Sequence, residues 1–218
     1  MFRLTRLIEK YFFADANAGK LFSLNQQFDI IDSVNAGKGT VAMLNTNNGM
    51  QVLSMGILSP SDAKLGKLSL INKNKNNSTL LDSLQRPVFV SYADLDNDKK
   101  EDIVVNEFGF RQGSLNWYKN MGNGKYEKHL LRALPGAIRT EIFDFNKDGR
   151  PDIIALMAQG DEGVFIYYNE GNGKFREERV ASFPPCMAPA IFSCSIITRM
   201  ALWIFLQQTE TMQTIPFH

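Results

Sequence analysis

The feature that most constrains the fold is an acidic loop that occurs twice, each time directly before an apolar run. The first acidic loop spans residues 94–102 and the second spans residues 144–152. Oxygen-bearing side chains repel one another at such close spacing unless a cation lies between them, and Ca2+ takes about 6–8 oxygen ligands. The pattern therefore predicts two calcium-binding loops. The predicted ligands are Asp94, Asp96, Asp98 and Asp102 in the first loop, and Asp144, Asn146, Asp148 and Asp152 in the second.

Two alternatives to this interpretation were weighed. Solvated turns are one, because Asp, Asn and Gly are common in turns of every kind; two copies in the same register favour metal binding over that alternative. The EF-hand is the other, and it requires a bidentate Glu at its twelfth position, where this chain has Val105 and Ala155. β-Branched and aromatic residues flank the loops, as in residues 88–92 and 103–105. We therefore expect each loop to join two strands.

The acidic loops belong to a longer repeat of about 50 residues, a period typical of propellers and solenoids. One unit spans residues 86–136 and the next spans residues 137–185. Each unit predicts four short strands, and its last two strands are joined by Asn123-Gly124 or Asn172-Gly173, which favour tight hairpins. Four antiparallel strands per unit predict one blade of a β-propeller, so the fold class is all-β.

A degenerate unit over residues 37–85 precedes the two clear ones. Leu44, Thr46 and Val52 stand there at positions that carry metal ligands in the second acidic loop. This unit is expected to keep the strands and the turn and to lack the metal.

The two loops resemble FG-GAP repeats, which are also grouped with VCBS repeats and build the propellers of integrin α-subunit-like proteins. The resemblance lies in D-x-D-x-D-K-K-x-D at 94–102 and D-x-N-x-D-G-x-x-D at 144–152, each before a β-branched strand. It is specific over residues 86–180 and weak over residues 37–85. It implies that the loop side chains bind Ca2+ and that the carbonyl oxygens of Lys100 and Arg150 complete the two sites. Lys99 departs from the pattern, because the family favours Gly there.

The N-terminal residues 1–20 are expected to form an amphipathic helix and a linker before the blades of residues 21–185. Apolar side chains at positions 4, 7, 8, 11 and 12 give helical spacing over residues 1–14. The sequence contains no run of about 18 apolar residues, so it predicts no membrane-spanning helix. Because 24 basic and 23 acidic side chains nearly cancel, nothing in the charge indicates a nucleic-acid partner.

The tail, residues 186–218, is interpreted as the out-of-frame remnant of another blade. Met and Trp have single codons, so reading one base earlier forces Gly across Met200-Ala201 and Asp across Trp203-Ile204. Permitted codons elsewhere complete D-Y-N-K-D-G-F-M-D-I-L, whose first Asp falls at Ile196, which is 52 residues after Asp144. The interpretation implies a truncated propeller, and the wobble bases of the coding DNA test it.

These features favour a non-catalytic, calcium-stabilised propeller module that serves as a scaffold or as a binding surface for a protein or carbohydrate. No catalytic residue is assigned, because the chain has two histidines and no arrangement of a nucleophile with a base can be built from it. The calcium loops and the family favour an extracellular, periplasmic or cell-surface location. Two alternatives stay open: a fragment of a propeller lyase or hydrolase, and a fragment of a larger bacterial protein with a cytochrome-like segment upstream.

Overall fold

The computed structural model describes residues 6–7, 10–72 and 74–183. These residues form sixteen strands and no helix, and the strands make four antiparallel sheets of four strands each. In every sheet the strands follow one another in chain order, so each sheet is a meander. The predicted all-β architecture of partial propeller blades is confirmed. None of the described residues forms a helix that is long and apolar enough to cross a membrane.

The four sheets follow one another along the chain without exchanging strands. The first sheet comprises β1 (Arg6–Leu7), β2 (Lys10–Asp15), β3 (Lys20–Leu24) and β4 (Ile30–Asn35). The second sheet comprises β5 (Thr40–Thr46), β6 (Gly49–Ser54), β7 (Gly66–Asn72) and β8 (Asn77–Leu84). The third sheet comprises β9 (Pro87–Ala93), β10 (Asp102–Glu107), β11 (Ser114–Gly122) and β12 (Lys125–Arg132). The fourth sheet comprises β13 (Ala137–Phe143), β14 (Asp152–Met157), β15 (Gly163–Gly171) and β16 (Lys174–Ser182).

The cores lie between consecutive sheets, because each inner strand presents alternate side chains to its two faces. In β10, Val104 packs between the third and fourth sheets, whereas Ile103 and Val105 pack between the second and third. Trp117 and Tyr118 divide between the same two cores. Both faces of the strand are therefore covered by packed side chains, which explains why β10 and β14 are buried along their whole length. The aromatic side chains of β11 are packing residues, as the alternation predicts.

The Asn-Gly hairpins form as predicted. Asn123 and Gly124 have φ of 54° and 71°, and Asn172 and Gly173 have φ of 54° and 72°. Both central residues of each turn are therefore left-handed, which matches the twist of the strands that they join.

The predicted N-terminal helix is wrong for the described residues, which form strands instead. β2 pairs with β3, from Tyr11 opposite Leu24 to Asp15 opposite Lys20. Phe12 packs toward the core shared with the second sheet, and Phe13 lies beside Phe22 with ring centroids 6.1 Å apart. Since aromatic side chains occupy both faces of β2, the period-2 alternation is hidden in the sequence and a helical spacing fits it equally well.

The predicted propeller units coincide in position with three of the sheets. β5 to β8 lie within residues 37–85, β9 to β12 within 86–136, and β13 to β16 within 137–185. The chain segment assigned to a helix and linker, residues 1–20, contributes instead to the first sheet. The predicted out-of-frame tail, residues 186–218, lies outside the described residues.

Candidate metal centre

The first acidic loop brings three of its predicted ligands together. One carboxylate oxygen from each of Asp94, Asp96 and Asp102 lies within 4.8 Å of the others. The loop connects β9 to β10, and its last member, Asp102, is the first residue of β10, opposite Ala93. Asp98 is not part of this group. The loop therefore has a three-carboxylate cluster at the end of a strand pair.

Backbone N–H groups shape this loop around two of the carboxylates. Asp94 accepts hydrogen bonds from the N–H groups of Asp98 and Lys99, at 3.1 Å and 2.7 Å. Asp102 is fully buried and accepts from Leu95 N–H at 3.1 Å and from Asn120 N–H at 2.7 Å. Burial raises the pKa of Asp102, because the ionised carboxylate loses its hydration.

Asp96 carries the feature that best fits a bound cation. Its side chain is 8% exposed, and its Oδ1 has no hydrogen-bond partner among the described residues. Its Oδ2 pairs with the ammonium group of Lys119 in β11. This hydrogen bond raises the pKa of Lys119 and keeps it charged. A buried carboxylate oxygen without a partner is unfavourable unless a cation or donor satisfies it, so the cluster has one oxygen to offer to a metal.

The second acidic loop repeats these hydrogen bonds and adds one. Asp144 accepts from the N–H groups of Asp148 and Gly149, at 3.0 Å and 2.8 Å. The fully buried Asp152 accepts from Phe145 N–H at 2.9 Å and from Asn169 N–H at 2.8 Å, and also from Asn146 N–H at 3.4 Å. The loop therefore holds Asp144 and Asp152 through the same kind of hydrogen bonds as their counterparts in the first loop.

Asn146 takes the position of Asp96, and its amide bonds within the loop. Its Oδ1 accepts from Asp148 N–H at 3.1 Å, and its Nδ2 donates to Asp148 Oδ2 at 2.9 Å. The residue that corresponds to Lys119 is Tyr168, whose ring lies 4.4 Å from the guanidinium carbon of Arg176. The second loop thus has three carboxylates and an amide, with an aromatic ring where the first has an ammonium group.

The fifth and seventh positions of the loops pair with each other in both copies. Lys100 N–H donates to Asp98 and Arg150 N–H donates to Asp148, each at 2.9 Å. The Lys100 side chain also donates to Asp98 at 3.0 Å and lowers the pKa of that carboxyl group. Partial burial raises the pKa of Asp148, but hydrogen bonds from Arg150 N–H and Asn146 outweigh it and the net shift is downward. Asp98 and Asp148 therefore remain ionised at neutral pH.

The second sheet has a short hairpin at the equivalent place. Met43 faces Val52 there, in the register that Phe143 and Asp152 have in the fourth sheet. The ladder then continues to Thr46 opposite Gly49, and two residues make the turn. With hydrophobic Val52 in place of a buried Asp, the strands of this hairpin pair to the tip.

Sequence reasoning missed two residues that complete the loops, Asn120 and Asn169. Both lie in the third strand of a sheet, and both donate N–H to the closing aspartate. The signal was present, because Asn120-x-Gly-Asn-Gly and Asn169-x-Gly-Asn-Gly stand at the same place in the repeat. The sequence interpretation used this pattern only to predict the hairpin turn. Lys119 was also missed, because its counterpart in the other unit, Tyr168, is not a lysine.

Charged residues outside the acidic loops pair with their neighbours. The buried Glu107 accepts hydrogen bonds from Asn116, Tyr118, Lys128 and the N–H of Gln85. Arg139 pairs with Glu141 at 2.7 Å and lies 4.2 Å above the ring of Phe89. His129 stacks on Trp117 with ring centroids 4.6 Å apart.

Comparison with known proteins agrees with the geometry of the loops. The family model for the FG-GAP-like repeat matches residues 94–155 and again residues 144–197, so each match begins at the first carboxylate of an acidic loop. Residues 94–197 therefore carry the sequence pattern of the FG-GAP-like repeat. No curated protein matches the chain.

Among solved structures, hydrazine synthase from Kuenenia stuttgartiensis is similar to this chain, with a TM-score of 0.51 and 10% sequence identity. The alignment covers 79% of this chain and 51% of that chain, so this chain spans about half the length of the solved one. At this identity the similarity concerns the fold alone. The sheets of this chain therefore share their architecture with that structure.

Proposed function

We propose that this chain is a non-catalytic propeller module whose third and fourth blades each bind one Ca2+, and that it serves as a scaffold or binding surface for a protein or carbohydrate partner. The observation that carries the proposal is the carboxylate cluster of Asp94, Asp96 and Asp102, in which a buried oxygen of Asp96 has no hydrogen-bond partner in the part of the chain that the structure describes. Carboxylate and amide oxygens in a loop are ligands that suit Ca2+.

The role of the ion would be structural. Asp102 and Asp152 are fully buried, and a buried carboxylate destabilises the fold unless charge or hydrogen bonds compensate it. Ca2+ would neutralise the loop, and the residues that would hold it are Asp94, Asp96, Asp98, Asp102 and the Lys100 carbonyl in the first loop. In the second loop they are Asp144, Asn146, Asp148, Asp152 and the Arg150 carbonyl.

The environment follows from the expected affinity. Extracellular calcium modules bind with dissociation constants of about 10⁻⁴–10⁻³ M, which only a calcium-rich compartment fills. We therefore propose an extracellular, periplasmic or cell-surface setting. The pairing of Glu107, Arg139 and Glu141 with their neighbours supports a module without catalysis.

Isothermal titration of the full chain with Ca2+ tests the proposal. We expect two ions per chain with dissociation constants of about 10⁻⁴–10⁻³ M. The double variant Asp144→Ala/Asp148→Ala is expected to bind one ion fewer. Asp82→Ala is the matched control, because Asp82 is an exposed carboxylate on β8, away from both loops. Equal stoichiometry in all three proteins, or no binding to the folded wild-type chain, would reject the proposal.

A further inference from the structure

Asn169 contacts both acidic loops at once. It lies in β15 and is 1% exposed. Its backbone N–H donates to Asp152 Oδ1 at 2.8 Å, the carboxylate that closes the second loop. Its side-chain Nδ2 donates to the carbonyl oxygen of Leu95, in the first loop and in the neighbouring sheet, at 2.7 Å. One buried residue therefore connects a predicted ligand of one loop to the backbone of the other.

Leu95 continues this connection to the ligands of the first loop. Its N–H donates to Asp102 Oδ2 at 3.1 Å, and its side chain is buried in the core between the third and fourth sheets. The path from Asp152 through Asn169 and Leu95 to Asp102 therefore consists of three buried hydrogen bonds. Each step fixes the orientation of the next group, because a buried donor or acceptor is costly to leave unpaired.

The equivalent residue of the third sheet lacks such a bridge. Asn120 N–H donates to Asp102 Oδ1 at 2.7 Å, and its Nδ2 donates to Glu101 O at 3.0 Å, within its own blade. Asn169 makes the corresponding own-blade contact to Pro151 O at 3.1 Å. Both asparagines also accept from a glycine N–H two residues later. The bond to Leu95 is thus the difference between them, and it provides a matched control.

We infer that the two loops bind Ca2+ with positive cooperativity and that Asn169 transmits the coupling. The inference rests on the function proposed above. An ion in the second loop fixes Asp152 and with it Asn169, which orders the Leu95 carbonyl and the first loop before that loop binds. A second ion then meets a loop that has already lost part of its conformational freedom, so it binds more tightly. By linkage, the first loop has the same effect on the second.

Isothermal titration of full-length variants measures the coupling. Asp94→Asn disables the first loop and Asp144→Asn disables the second, and the two single-loop binding constants are multiplied. We expect the two-ion constant of the wild-type chain to exceed this product about fivefold or more, the lower end of common allosteric couplings. The ratio of the two-ion constant to this product is the coupling factor. Asn169→Ala is expected to reduce the coupling factor to about one, whereas Asn120→Ala is expected to retain it. Asn169→Ser replaces Asn169→Ala if the latter does not fold, because the serine hydroxyl is too short to reach the Leu95 carbonyl.

Hydrogen exchange offers a readout that does not depend on affinity. In Asp94→Asn, Ca2+ binding to the second loop is expected to slow amide exchange in residues 94–102, and Asn169→Ala is expected to abolish that protection. A coupling factor of one in the wild-type chain, or an unchanged factor in Asn169→Ala, would overturn the inference and leave the proposed function intact. Absence of Ca2+ binding at either loop would overturn both.

Discussion

The two acidic loops share one frame but differ in charge. The first has four carboxylates and the ammonium group of Lys119 beside Asp96. The second has three carboxylates, with Asn146 in place of Asp96 and Tyr168 in place of Lys119. The additional negative charge of the first loop therefore occurs together with an additional positive charge. Different residues therefore determine the hydrogen-bonded backbone of the hairpin and the charge that it offers to a cation.

The frame depends on Asp102 and Asp152, and substituting either should have the largest effect. Asp102→Ala leaves two backbone N–H groups without their carboxylate acceptor, and Asp152→Ala leaves three. We expect each to lower the free energy of unfolding by about 2–5 kcal/mol, because every stranded buried donor costs about 1–3 kcal/mol. Urea denaturation in the presence of a chelator measures it, with Asp82→Ala as a control within about 0.5 kcal/mol of wild type. A loss below about 1 kcal/mol in one loop alone would mean that the two frames are not equivalent.

Lys119→Met tests how the additional positive charge of the first loop acts on calcium binding and stability. We expect an effect of intermediate size. Removing the ammonium group frees Asp96 for a metal, so Ca2+ affinity of the first loop should rise about tenfold. In the presence of a chelator, the variant's free energy of unfolding should fall by about 1–2 kcal/mol, because the hydrogen-bonded charge pair is lost. Titration and urea denaturation give the two values, and Lys125→Met, on the exposed end of β12, is the control. Lower calcium affinity in Lys119→Met would show that the ammonium group supports the site instead of competing for it.

The smallest effect concerns the backbone of the two loops. Lys99 has φ of 66° and Gly149, its counterpart, has φ of 86°. A left-handed conformation costs a non-glycine residue about 1–2 kcal/mol, partly offset by the greater freedom of glycine in the unfolded chain. We expect Lys99→Gly to stabilise the protein by about 0.5 kcal/mol and Gly149→Ala to destabilise it by about 1 kcal/mol. A Cβ at position 149 meets no atom within 4 Å, so a steric clash does not explain the loss. Equal stability of both variants with wild type in thermal unfolding would contradict the role of φ.

Local pattern was sufficient to predict much of this fold. β-Branched runs beside polar turns predicted β10 and β14, and the Asn-Gly pairs predicted the hairpins of the third and fourth sheets. The same reasoning failed for β2, because Tyr11, Phe12 and Phe13 put aromatic side chains on both faces and obscured the alternation. A strand with apolar side chains on both faces provides little period-2 signal, so the first sheet was not predicted.

The site was predictable as a list of ligands but not as a network. Spacing alone indicated the eight oxygen-bearing side chains of the loops. The contact of Lys119 with Asp96 joins positions 23 residues apart, and that of Asn169 with Leu95 joins positions 74 residues apart. Such contacts depend on how β11 and β15 pack beside the loops, and one sequence without an alignment does not carry that information.

The most direct test of a calcium-stabilised propeller is the melting temperature of the full chain as a function of free Ca2+, from excess chelator to several millimolar Ca2+. A ligand that binds only the folded state at about 10 times its dissociation constant adds about 1.4 kcal/mol per site, or roughly 3–6 °C per site for a chain of this size. We predict a rise of that order that is reduced in Asp144→Ala/Asp148→Ala and retained in Asp82→Ala. A folded wild-type protein whose melting temperature is the same in chelator and in millimolar Ca2+ would contradict the account.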